Sequence, residues 1–121
     1  MNSYRDLEIF VESERLAIEV HKVSLTFPKF ELFEEGSQLR RCSKSIPANI
    51  VEGYARKRYK ADLIKHLVIS HGECDETIFH LNMAHKTGSF PDEEKFTELM
   101  QGYMQLSKKL NRFIQGVERE F

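Results

Sequence analysis

The segment SIPANIVEGYAR, residues 45–56, decides how many helices this chain has. It sets Pro47, Asn49 and Glu52 inside a stretch that otherwise has helical spacing. Proline lacks a backbone N–H and its ring presses on the carbonyl four residues earlier, at a cost of about 3 kcal/mol in a helix interior. Either a helix ends before Pro47 or one helix runs through it with a kink. The apolar residues decide: Leu32, Leu39, Ile46 and Ile50 share one side of a helix and keep their register across Pro47. A break would have no reason to preserve that register, so one kinked helix is expected over about 32–57. The Ser43 carbonyl, which Pro47 cannot serve, then needs a hydroxyl or a water.

Three further helices follow from the same kind of reading, and no segment alternates like a strand. Toward the C-terminus, Phe96, Leu99, Tyr103, Leu106, Leu110, Phe113 and Val117 are spaced alternately by three and four, an unbroken heptad stripe over about 92–118. Ser89, Pro91 and the acidic run Asp92, Glu93, Glu94 suit its start, and Gly88 suits the end of the helix before it. That preceding helix is expected over about 61–87, with Ile64, Leu67, Val68, His71, Cys74, Ile78 and Leu81 turned to one side. The first helix, about 7–26, buries Ile9, Leu16, Val20, Val23 and Phe27, with Ser13 as the weak link. A second stripe on it, Tyr4, Val11, Ile18 and Leu25, repeats every seven residues; it reads either as a broad core face or as a contact for another molecule. Short connections at FPKFE, KRYK and GSFP make consecutive helices antiparallel neighbours. Residues 1–121 are therefore expected to form one all-α domain, an antiparallel up-down-up-down four-helix bundle.

Composition narrows the class. The chain has 121 residues and a formal net charge of -1, with balanced and abundant charge, which fits a globular domain and argues against a general coat for nucleic acid. No apolar run approaches the roughly 20 residues of a membrane span. The beginning, MNSYRDLEIF, lacks the basic-then-apolar order of a secretion signal. Cys42 and Cys74 are not in a CxxC pair and read as two buried thiols of a cytoplasmic protein.

A polar flank accompanies the apolar stripe of the second helix. Gln38, Arg41, Ser45, Asn49, Glu52 and Arg56 are spaced by three or four and fall within one sector beside the core face. It reads as a wet boundary strip or as a polar seam, within the bundle or between subunits. The seam reading expects Asn49 and Glu52 to be mostly buried and hydrogen-bonded, with Glu76 and His80 of the third helix in reach.

Three segments together, FPKFE, QLRRCSKSIPANIVEGYAR and HLVISHGECDET, resemble the successive signatures of the four-helix-bundle proteins encoded in intervening sequences of bacterial 23S ribosomal RNA genes. The likeness begins at YRDLEIF and runs into the third helix, while the fourth matches in pattern only. Gln38, Arg41, Ser45, Ile46, Pro47, Asn49, Ile50, Glu52, Gly53, Arg56, Gly72 and Glu76 fit the family pattern; Glu35, Cys42 and Glu73 depart from it. The resemblance implies an α-helical bundle that in some members assembles as a ring-like homopentamer. The biochemical role of that family is not established.

Enzymatic chemistry finds no foothold. The Glu-x-x-His pairs of di-metal bundles are missing, as are a phosphate loop and a nucleophile elbow, so no catalytic residue, metal or cofactor is expected. Charge is more informative by position: residues 38–66 carry a net +6 and residues 67–99 a net -5. In an up-down bundle Arg56, Lys57, Arg58 and Lys60 share an end with Lys108, Lys109 and Arg112. Bases at helix C-termini answer the helix dipole, at about 0.3–1 kcal/mol each. The same bases, multiplied around an oligomer, would attract RNA or DNA phosphate. The expectation is a non-enzymatic, self-associating binding or scaffold protein, with Val11, Ile18 and Leu25 at its subunit contact. The alternative is a protein-partner adaptor without affinity for nucleic acid.

Overall fold

The computed structural model describes residues 3–120. A short 3-10 turn, Tyr4–Asp6, leads into α1 (Glu8–Ser24). A second 3-10 turn, Lys29–Glu31, precedes α2 (Glu35–Ala55), followed by α3 (Lys60–Lys86) and α4 (Glu93–Glu120). Neighbours in sequence are neighbours in space: α1 packs on α2 and α4, α3 packs on α2 and α4, and α1 and α3 stand at diagonal corners. Cross-links on each side give the directions. Ser24 meets Arg40 while His21 meets Lys44, so α2 runs against α1. His66 meets Asn49 while Thr77 meets Cys42, and Cys74 meets the Tyr103 carbonyl while His71 meets Ser107. Lys95 pairs with Glu19 and Lys109 with Glu8, which closes the square. The fold is the all-α four-helix bundle that the periodicity called for.

The proline does not break α2, which is continuous from Glu35 to Ala55 with Pro47 inside it. Leu39, Ile46 and Ile50 are wholly buried on its inner face, each such side chain stabilising the bundle by about 1.5–3 kcal/mol. Beside the proline, the Ser70 hydroxyl of α3 donates to the Ile46 carbonyl. The hydroxyl expected near the irregular turn is present, but it serves a carbonyl three residues beyond Ser43. α2 starts three residues later than the stripe from Leu32 suggested. The Arg40 guanidinium takes the Leu32 carbonyl at 2.6 Å, outside the helix, and the buried Glu31 carboxylate accepts from the Ser89 hydroxyl at 2.9 Å. That second bond ties the α1–α2 and α3–α4 loops together.

Local signals shape the other ends. Gly88 has φ +86, the left-handed conformation that a glycine reaches without strain, and it closes α3. Asp92 accepts the Lys95 backbone N–H at 3.1 Å and so caps the start of α4. From α4, Leu99, Tyr103, Leu106, Leu110, Ile114 and Val117 are buried, with Phe96 and Phe113 partly buried against them. Ser13 of α1 is fully buried, its hydroxyl turned back to the Phe10 carbonyl.

α3 departs most from its expected face. Its buried side chains are Leu67, Ser70, Cys74, Thr77, Leu81 and Ala84, whereas Val68 is 52% exposed. Small side chains, Ser70, Cys74 and Thr77 between Leu67 and Leu81, let α3 lie close between α2 and α4. Thr77 satisfies its hydroxyl on the Glu73 carbonyl, so a polar side chain can sit in the core.

Candidate functional site

Three surfaces carry the residues singled out by sequence. The first is the polar flank of α2, which meets α3 and forms a ladder down their shared outer edge. At its head, His80 pairs with Glu35 through Nδ1 and lies 4.0 Å from Glu76 through Nε2. Nearly two turns along α2, Arg41 donates to Glu76 at 3.1 Å, to Gln38 at 3.3 Å and to Glu73 at 3.5 Å. Below it, Asn49 donates to the Ser45 carbonyl and hydroxyl at 3.0 and 3.1 Å, and its own oxygen faces His66 Nδ1 at 3.2 Å. Thus Gln38, Arg41, Ser45, Asn49 and Glu76 are brought together.

Glu52 is where the expected burial fails. Its side chain is 50% exposed and pairs with Arg56 one turn on at 3.0 Å, without reaching α3. At Gly53, the next residue, a Cβ would come within 3.1 Å of His66 and 3.4 Å of Leu63, so α3 fills the space beside the glycine, whereas Glu52 points outward. His66 itself was not anticipated; its only sequence signal is a polar residue on α3 at the height of Asn49.

The carboxylates of the ladder are not equivalent. Burial holds the Glu73 carboxyl above the usual range, helped by its hydrogen bond with Glu76, while Ser45 and Arg41 oppose. Glu76 is held below the usual range, first by that same hydrogen bond, which outweighs the opposing effect of burial, and then by the charge and hydrogen bond of Arg41. With its arginine open to solvent, this arrangement fixes the register of α2 against α3 and contributes little net energy. Beneath it lie the two thiols, both buried and free. Burial pushes Cys74 up to about 12, with Asp75 adding to the effect. Cys42 is raised by burial against the Thr77 hydrogen bond. Thiols so placed stay protonated and are poor nucleophiles.

The second surface is the basic end, which divides into two groups. Arg56 is paired with Glu52, Lys57 lies over the Tyr54 ring with its amine 2.9 Å from the phenol oxygen, and Lys60 donates to the Glu118 carbonyl at 3.0 Å. These gather at the tip of α4. Lys109 instead pairs with Glu8 at the start of α1, and with Arg112 it lines a separate hollow there. Arg58, Lys108 and Arg112 are exposed and form no ion pair among the described residues. Between the groups, an apolar cavity of about 250 Å³ opens beside Tyr54, Lys57, Phe113 and Val117.

The third surface is the outer line of α1. Val11, Ile18 and Leu25 are 51%, 51% and 58% exposed, while the other stripe of the same helix fills the core. Ile18 borders a hollow of about 360 Å³ that reaches across to Pro47 and Lys44 of α2. No described helix is long and apolar enough to cross a membrane.

Comparison with known proteins bears on the whole chain. No curated protein matches it. A solved structure from Bacteroides thetaiotaomicron, described as a protein with unknown function from the S23 ribosomal protein family, superposes with a TM-score of 0.74 at 24% identity. The match covers 88% of this chain and 97% of that one, and shows the fold. The family profile of the 23S rRNA-intervening sequence protein matches residues 5–112. With nine-tenths of the chain inside that profile and the bundle beneath it, the protein belongs to the 23S rRNA-intervening sequence protein family.

Proposed function

We propose that this protein is a cytoplasmic, non-enzymatic scaffold that works as a homo-oligomer, a ring of five by resemblance, and holds nucleic acid at its basic end. The observation that carries the reading is the outer line of α1. Three large aliphatic side chains, one heptad apart, lie more than half exposed on a helix whose core is already complete. An apolar line repeated at each heptad on an outer helix face supports a contact surface, and a second copy of the chain is the occupant. Light scattering on the parent protein tests it: an oligomer at micromolar concentration is expected, and a monomer overturns the proposal. Ile18→Glu, which sets a charge in the apolar contact, should dissociate the oligomer while keeping its helical content.

Affinity for nucleic acid is supported by Arg58, Lys108 and Arg112, three exposed cations without carboxylate partners among the described residues. Replacing Arg58 and Lys57 by serine should weaken binding to duplex and single-stranded RNA. The slope of log K against log salt should fall by roughly 0.9 for each duplex phosphate that the variant no longer neutralises. Binding should depend little on base sequence, because phosphate contacts carry no sequence information. If the parent binds neither nucleic acid at low salt, the scaffold stands as a protein adaptor alone.

A further inference from the structure

The line on α1 has a counterpart. α3 exposes Val68 (52%) and Phe79 (56%) on one outer line together with exposed Ala61 and Gly72. Because α1 and α3 stand at diagonal corners, the two lines look out on opposite sides of the bundle. They also match in height. Ser24 is level with Arg40, and Arg41 is level with Glu76, so Ser24 stands at the height of Glu76. α1 and α3 run the same way and rise about 1.5 Å per residue. Ile18 therefore stands at the height of Ser70, between Val68 and Gly72, and Leu25 stands near that of Phe79.

We infer that α1 of one copy docks on α3 of the next, parallel and level, with Ile18 over Gly72 and Leu25 against Phe79. This rests on the self-association proposed above and specifies its geometry. Charge supports it independently. At about 100° per residue, Glu14 and Lys22 lie on opposite flanks of the α1 line, and Lys65 and Asp75 on opposite flanks of the α3 line. When two helices that point the same way meet face to face, the Lys22 flank meets the Asp75 flank and the Glu14 flank meets the Lys65 flank. Both pairs are level to within one turn. All four side chains belong to exposed residues and form no ion pair among the described residues.

Two-fold pairing of α1 with α1 does not do this. The antiparallel arrangement sets the Lys22 flank on the partner's Lys22 flank. The parallel one leaves Lys22 and the partner's Glu14 roughly 12 Å apart in height, eight residues of rise. Gly72 adds a third observation. A Cβ there would meet nothing within 4 Å, so the fold of one chain does not ask for a glycine. A glycine inside a helix costs roughly 0.5–1 kcal/mol relative to alanine, and a close approach by a neighbouring Ile18 supplies the reason for it. Since the two faces differ, the contact is head-to-tail, and its repetition closes into a ring or extends as a chain.

A charge-reversal cycle tests the register. Association of the parent, Lys22→Glu, Asp75→Lys and the double variant is measured by sedimentation at low ionic strength. Each single reversal should weaken association by roughly three- to tenfold, and the double should return to within about threefold of the parent, as expected for partners that touch. Gly72→Gln should leave the monomer at least as stable and still cost tenfold or more in association. If the single variants associate like the parent, or the double stays as weak as the singles, the α1-to-α3 register is wrong. Unchanged assembly in Gly72→Gln overturns it as well. In each of those cases a parent oligomer that Ile18→Glu dissociates leaves self-association standing, whereas a monomeric parent removes both.

Discussion

Tyr103→Phe should make this protein more stable. Tyr103 sits at the middle of α4 with none of its surface exposed, and its hydroxyl has no hydrogen-bond partner among the described residues. A buried hydroxyl without a partner forfeits its hydration, a penalty of about 1–3 kcal/mol. Phenylalanine keeps the ring, and with it the apolar packing. The net expectation is a gain of about 1–2 kcal/mol, equivalent to roughly 3–8 °C in Tm for a chain of this length. Urea unfolding of parent and variant at equal concentration, followed by circular dichroism, measures it directly. The two m values should agree, so that the change lies in the midpoint. A second readout is alkaline: burial, with smaller contributions from Cys74 and Cys42, holds the Tyr103 phenol well above its ordinary value of 10. Above pH 10 the unfolded chain therefore loses a proton that the folded one retains, and parent stability falls as pH rises. The variant should lack that part of the fall. A loss of more than about 0.5 kcal/mol in the variant would refute the reasoning, since it would mean that the hydroxyl makes a bond in solution.

Other outcomes follow from the same interior. Cys74 titrates near 12 when folded and near 9 when unfolded, so its contribution to stability is complete below pH 9 and is lost between pH 9 and about 12. Cys74→Ala should flatten the alkaline limb there by up to about 1.4 kcal/mol per pH unit; an unchanged limb would show the thiol to be accessible. Along the ladder, Asn49→Ala should cost about 1–2 kcal/mol through its bonds to Ser45 and His66. Glu52→Ala should cost less than about 1 kcal/mol, because its pair with Arg56 is half exposed. A reversed order in thermal melts would return Glu52 to the centre of the seam.

Much of this bundle is legible in the chain because helices are local objects. The heptad of α4, the positive-φ stop at Gly88, the cap at Asp92 and the unbroken register across Pro47 all depend on residues within a turn or two of one another. Period and capping report angles about a helix's own axis, and four such helices with short loops leave few ways to pack. What surrounds each angle is another matter. Ser70 and Thr77 are core residues because α2 and α4 press on that side of α3, and their hydroxyls find carbonyls there. Val68, more apolar, is left outside. Asn49 found its partner in His66 and Glu52 did not reach α3, although both share one flank of α2. The bases assigned to one end are divided between the tip of α4 and Glu8. Position along and around a helix is written in the sequence, but burial and pairing are properties of the gap between two helices. Only the packed bundle, with its distances of closest approach, decides them.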